Sequence, residues 1–183
     1  NNLNNNPLRN EWLSKIDLAW NTSFSRYDFF GTLYNKYFVK LGFLPNLRRM
    51  KLNIDYKSKD LFLFSKFGAN YSRKTISYQR KLIISKLNLK NQKKIGKFDY
   101  FKQLTKSKYC ISPFGWGEIA YRDFEAISKG CVLIKPDMDH LETWPNYYQK
   151  WKTYIPLKWD ISDLDEVIIK CNLQYNDFKN YAD

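Results

Sequence analysis

The stretch SPFGWGEIAYRDFEAISKGCVLIKPDMDH, Ser112 to His140, gathers the side chains best suited to chemistry. It holds the only histidine of the chain, two glycines flanking Trp116, the carboxylates Glu118 and Glu125, and Arg122 between them. Gly115 and Gly117 permit tight backbone turns, and a helix entered directly after such a turn presents unsatisfied N–H groups that attract anions. That combination suits a phosphate group. A purely structural turn uses the same pair of glycines.

Read as a helix starting at Glu118, the segment places Glu118, Arg122, Glu125 and Lys129 within roughly 60° of one another. Ala120, Phe124 and Ile127 then fall on the opposite, core-facing side. At a ligand-facing end, a carboxylate accepts hydrogen bonds from sugar or ribose hydroxyls, and an arginine neutralises phosphate. As exposed helix pairs, the same residues would contribute only about 0.2–0.5 kcal/mol each. His140 carries a group that commonly titrates near neutrality, which suits a general base toward an acceptor hydroxyl and equally a structural hydrogen-bond donor. Trp116, Trp144, Tyr147 and Tyr148 offer flat faces for a sugar or a base, in a chain whose 18% aromatic content must also fill its core.

The elements that must hold these residues follow from hydrophobic period. DLFLFSKF reads as a strand, TISYQRKLIISKLN as a helix with Thr75 as its N-cap, and DYFKQLTKSK as a short helix. YCISPF is a second strand, EIAYRDFEAISKG a helix stopped by Gly130, and CVLIKP a third strand. TYIPLKW and DLDEVIIKC add a strand and a helix. Nearly continuous apolar strands alternating with helices predict a parallel sheet covered on both faces, an α/β Rossmann-like domain over residues 58–183. Ligands of such sheets sit beyond the carboxyl ends of the strands, where the loop after YCISPF lies. Residues 1–57, interrupted by Gly31, Gly42 and Pro45, read as a helical or irregular extension.

SPFGWGEIAYRDFEAISKGCVLIKPDMDHLETWP resembles the donor-binding signature in the C-terminal domain of GT-B-fold glycosyltransferases, particularly the exostosin-like and group-one-like enzymes. In that family a glycine-containing loop precedes a helix bearing two glutamates, then a small-residue A-x-x-x-G and an apolar strand, which EAISKGCVLI resembles. The resemblance implies transfer of a sugar from a nucleotide-sugar donor to a glycan or other hydroxyl acceptor, with no cofactor and no metal required. Glu118 would face the donor sugar or its diphosphate, Glu125 the ribose, and the amides after Gly115 and Gly117 the diphosphate. The family's upstream phosphate clamp has no clean counterpart, and Arg73, Lys74 and Arg80 are the basic residues nearest to one. The resemblance covers residues 107–165 well, 58–106 weakly, and nothing before, so an additional domain of a longer chain is an expected partner.

Other readings compete for the same residues. GWGEIA satisfies the dinucleotide fingerprint G-x-G-x-x-A, with Asp137 twenty residues after Gly117 where a ribose-binding acid is expected. Against it, Trp116 is bulky and Glu118 sets negative charge where a pyrophosphate would approach. PDMDH imitates a D-x-D metal site, although Asp137 and Asp139 read better as loop and capping residues. A formal charge of +13 calls for an anionic partner, and nine lysines between Lys81 and Lys108 are compatible with nucleic acid or an anionic membrane surface but, without interleaved aromatics, read first as a solvated basic face. A binding-only module for a nucleotide or anionic glycan is the alternative to an enzyme. Cys110, Cys131 and Cys171 are widely spaced and read as small buried thiols of a reducing compartment. With no run of eighteen apolar residues, a soluble, cytoplasmic protein with at most peripheral membrane contact is expected.

Overall fold

The computed structural model describes residues 55–89, 94–143 and 146–182. The extension expected over 1–57 lies, apart from its last turn, outside the described residues. Within them the order is β1 (Leu61–Phe64), α1 (Lys74–Lys86), α2 (Lys97–Lys106), β2 (Ser107–Ile111), α3 (Tyr121–Ser128), β3 (Val132–Pro136), β4 (Tyr154–Leu157), α4 (Leu164–Leu173) and α5 (Tyr175–Phe178). The four strands form one parallel sheet in the order β1-β2-β3-β4. This is the Rossmann-like α/β architecture that the apolar strands predict.

Alternation along each strand divides the core in two. Tyr109, Ile111, Val132, Ile134, Ile155 and Leu157 pack against Ile83 of α1 and Leu164 and Val167 of α4. Cys110, Cys131, Leu133 and Tyr154 face the other way, onto Leu104 of α2 and Ala126 of α3. The chain therefore leaves β1 toward the first face and leaves β2 toward the second. Two neighbouring strands whose exits diverge open a crevice at their carboxyl ends. That crevice is flanked by the loop Phe67–Ser72 on one side and Ser112–Ala120 on the other.

Three local expectations need correcting. Helix α1 begins at Lys74 with Arg73 as its N-cap, two residues earlier than a Thr75 cap allows, and no side chain closes that end. Helix α3 begins at Tyr121, because Ala120 is extended at φ −122° and ψ 145° and its N–H donates 3.1 Å to Asp123 Oδ2. Glu118 thus precedes the helix, and the four-residue charged stripe does not form. The buried side of α3 carries Asp123 and Ala126, both 0% exposed, while Phe124 and Ile127 are only half-buried. The register is set by Asp123, whose carboxylate finds its donors beneath the helix. Gly130 does end this segment as expected, at φ 67°.

All three cysteines are buried and free. Burial pushes the Cys131 thiol up to about 11, although Lys59 nearby pulls against it, and burial takes Cys171 to about 12. Such thiols are packing groups. Among the described residues no helix is long and apolar enough to cross a membrane.

Candidate functional site

The crevice floor is Phe67, which is 5% exposed and follows β1. Two guanidinium groups lie over its ring: Arg80 from α1 at 6.0 Å and Arg122 from α3 at 5.7 Å. Arg80 is itself buried, at 5% exposure, because the fold supplies its acceptors. Its Nε donates 2.8 Å to the Phe114 carbonyl, and its Nη1 donates 2.7 Å to the Gly68 carbonyl and 3.1 Å to Tyr71 Oη. One side chain thereby ties the loop after β1 to the loop after β2. Burial, opposed by Tyr71 and aided by the neighbouring Arg122 cation, lowers its pKa, yet a guanidinium starts so high that it stays charged.

Arg122 is built differently. Its Nε is buried and has no hydrogen-bond partner among the described residues. Two guanidinium groups therefore share one aromatic floor, and the Nε of one of them lacks a hydrogen-bond partner among the described residues.

The loop above explains one glycine and leaves the other open. A Cβ on Gly115 would stand 3.2 Å from Arg80 Nη2, so this position admits backbone and little else. Gly115 N–H also donates 3.1 Å to the Gly117 carbonyl, turning the loop back on itself. Gly117 has open space around it. Between them Trp116 is 71% exposed, with the Arg73 guanidinium 4.8 Å above its ring.

Glu118 Oε1 lies 4.0 Å from His140 Nε2, and the His140 ring packs 6.0 Å from Phe114. The two residues come from loops after β2 and β3, and both are about half exposed. Glu125 points elsewhere. One turn inside α3, its Oε2 accepts 2.8 Å from Tyr100 Oη of α2, a phenol that burial and then the Glu125 charge push up. The structure thus brings Arg80 beside Gly115 and Arg80 with Arg122 over Phe67, sets Arg73 over Trp116, and pairs Glu118 with His140 next to Phe114. Glu125 joins none of these groups.

Asp137 and Asp139 are held as loop residues. Lys150 Nζ stands 2.6 Å from a carboxylate oxygen of each, and the Asp139 N–H donates 2.9 Å to Asp137 Oδ1. A lysine therefore fills the space between the carboxylates of the D-x-D pair. Trp144 lies outside the described residues, and Tyr148 is buried in the core.

Sequence reasoning passed over the group that supports the site. Lys135, on β3, is 0% exposed and its ammonium is 3.1 Å from Asp123 Oδ2. Burial pulls the Lys135 ammonium down, and Asp123 only partly restores it. Asp123 also accepts from Ser112 Oγ at 2.5 Å and from Tyr148 Oη at 2.8 Å. The signal was present: a lysine inside an otherwise apolar strand requires a buried acidic partner nearby. No protein-family model matches the chain, and no curated protein matches it.

Proposed function

We propose that this domain binds the nucleotide-sugar donor of a glycosyltransferase and takes part in transferring its sugar to a hydroxyl acceptor. The observation that carries the reading is the unsatisfied, buried Nε of Arg122 beside Arg80, over Phe67, in the crevice between the diverging exits of β1 and β2. A diphosphate is the anion that two adjacent guanidinium groups and a close-approach glycine would hold. Positive charge fixed there also stabilises the diphosphate as the sugar–oxygen bond breaks. Trp116 at the rim offers a face to the base or the sugar. Glu118 orients donor hydroxyls, and His140, 4.0 Å away, is placed to accept the acceptor hydroxyl proton. Glu125 would serve the ribose only by giving up Tyr100.

The test is calorimetric titration with UDP, GDP, dTDP and CMP ligands, on the unaltered protein and on Glu118→Ala and Glu125→Ala. Selective binding to one nucleotide, weakened by Glu118→Ala, supports donor recognition, and the response of Glu125→Ala decides whether that residue leaves Tyr100 for the ribose. Absence of binding to every member of the panel overturns the reading. Nucleotide binding without donor turnover in the intact protein would leave a binding-only module.

A further inference from the structure

The carboxylate of Asp123 meets every segment that shapes the crevice except the loop after β1. It receives Ser112 Oγ from the end of β2, the Ala120 N–H at the start of α3, Tyr148 Oη from the segment before β4, and the Lys135 ammonium from β3. Three hydrogen-bond donors and one ammonium ion pair thus meet on this carboxylate, Ser112 on Oδ1 and the other three on Oδ2. The residue is 0% exposed, and Ser112 and Lys135 are 0% exposed as well. Burial and the Asp123 charge push the Tyr148 phenol up, which keeps it a donor. Lys135 also lies 5.1 Å from the Phe114 ring, directly under the loop whose carbonyl Arg80 holds from the other side.

We infer that Asp123 is a positioning residue: its carboxylate fixes the loop 113–120 between the end of β2 and the Tyr148 segment, so that Arg122 and the loop amides face the anion. It touches no ligand itself. The inference rests on the donor-binding reading for its ligand, but the positioning is measurable without one. Arg122 precedes Asp123 by one residue, so a shift in how the Asp123 carboxylate seats α3 rotates the Arg122 guanidinium away from Arg80. Packing alone predicts something different, a uniform loss of stability with no preference for this loop.

The experiment uses Ser112→Ala and Tyr148→Phe, each of which deletes one donor and keeps the ion pair, together with the charge-balanced double variant Asp123→Asn, Lys135→Met. Amide hydrogen exchange is followed over residues 114–120 and over β3, with UDP affinity in parallel. The expected result is faster exchange confined to 114–120, by about five-fold for each single variant, and a matching loss of UDP affinity. Unchanged exchange in 114–120, with only a lower melting temperature, overturns the inference. If the unaltered protein binds none of UDP, GDP, dTDP and CMP while the loop exchange still rises in the variants, the donor reading falls and the positioning role stands.

Discussion

At the amino edge of the sheet a buried lysine has all the partners it can use, whereas at the carboxyl edge the buried Nε of a half-buried arginine has none among the described residues. Lys59 is 4% exposed, and its ammonium donates to the carbonyls of Thr105 at 3.1 Å, Ser107 at 2.8 Å and Lys129 at 2.8 Å. These carbonyls close the end of α2, the start of β2 and the end of α3, where a cation also meets the negative pole of a helix. Cys131 Sγ adds donors to Leu104 at 3.0 Å and Ser107 at 3.2 Å. Arg122, at the other end of α3, leaves its Nε unmatched. The ammonium of Lys59 is consumed by the fold, whereas the Nε of Arg122 is buried without a hydrogen bond from the described residues. Composition alone does not separate the two, since both belong to the same excess of basic residues.

Substitutions can break this contrast. The largest effect is expected from Lys59→Met, which removes the ammonium from the Thr105 and Lys129 carbonyls and leaves the Ser107 carbonyl with its Cys131 donor, and should cost about 3 kcal/mol in chemical denaturation, with no selective effect on nucleotide affinity. A small loss there would mean that water replaces the ammonium and that the amino edge is less closed than its geometry indicates. Arg122→Met should do the reverse. Its stability should be unchanged or raised by up to about 1 kcal/mol, because an unsatisfied buried group is removed, while UDP affinity falls at least ten-fold. Equal losses of stability and affinity would place Arg122 with Lys59 as a structural cation.

The smallest effect belongs to Lys150→Ala and is visible mainly in its pH dependence. Burial raises the Asp137 carboxyl, but hydrogen bonds from Lys150 and the Asp139 N–H outweigh it and hold the group below its ordinary 3.8. A carboxyl depressed in the folded state contributes stability above the unfolded value and loses it as pH falls through the folded one. The deficit of Lys150→Ala, at most about 1 kcal/mol at this exposed site, should therefore be present at pH 7 and shrink below pH 3.8. A deficit that persists in acid would show that Lys150 acts through packing of its stem.

The strands were legible because parallel strands buried on both faces must be apolar throughout, and LFLF, YCI, VLI and YIPL are. The helix at 121–128 was legible in kind but not in register. Hydrophobic period puts Phe124 and Ile127 inward, whereas a buried Asp123 outranks them because three hydrogen-bond donors and the Lys135 ammonium converge on it. The same tertiary fact hid the support of the site, since Ser112, Asp123, Lys135 and Tyr148 are spread over the sequence and only the folded sheet brings them together. Arg80 and Gly115 were readable as candidates, but that the missing Cβ of Gly115 makes room for Arg80 was not. Phe67, which places the two arginines side by side, carried no signal beyond being apolar.

The reach of Lys59 has a consequence for how the protein is made. Its most distant acceptor is 70 residues further along the chain. At about 5–20 residues per second, between about 4 and 14 s pass from the synthesis of Lys59 to that of Lys129. Through that interval β1 has no finished sheet to join and the ammonium stays in water. The amino edge therefore cannot close before Lys129 is made, and a nascent chain halted before Lys129 should leave Lys59 open to acylating reagents that the finished protein excludes.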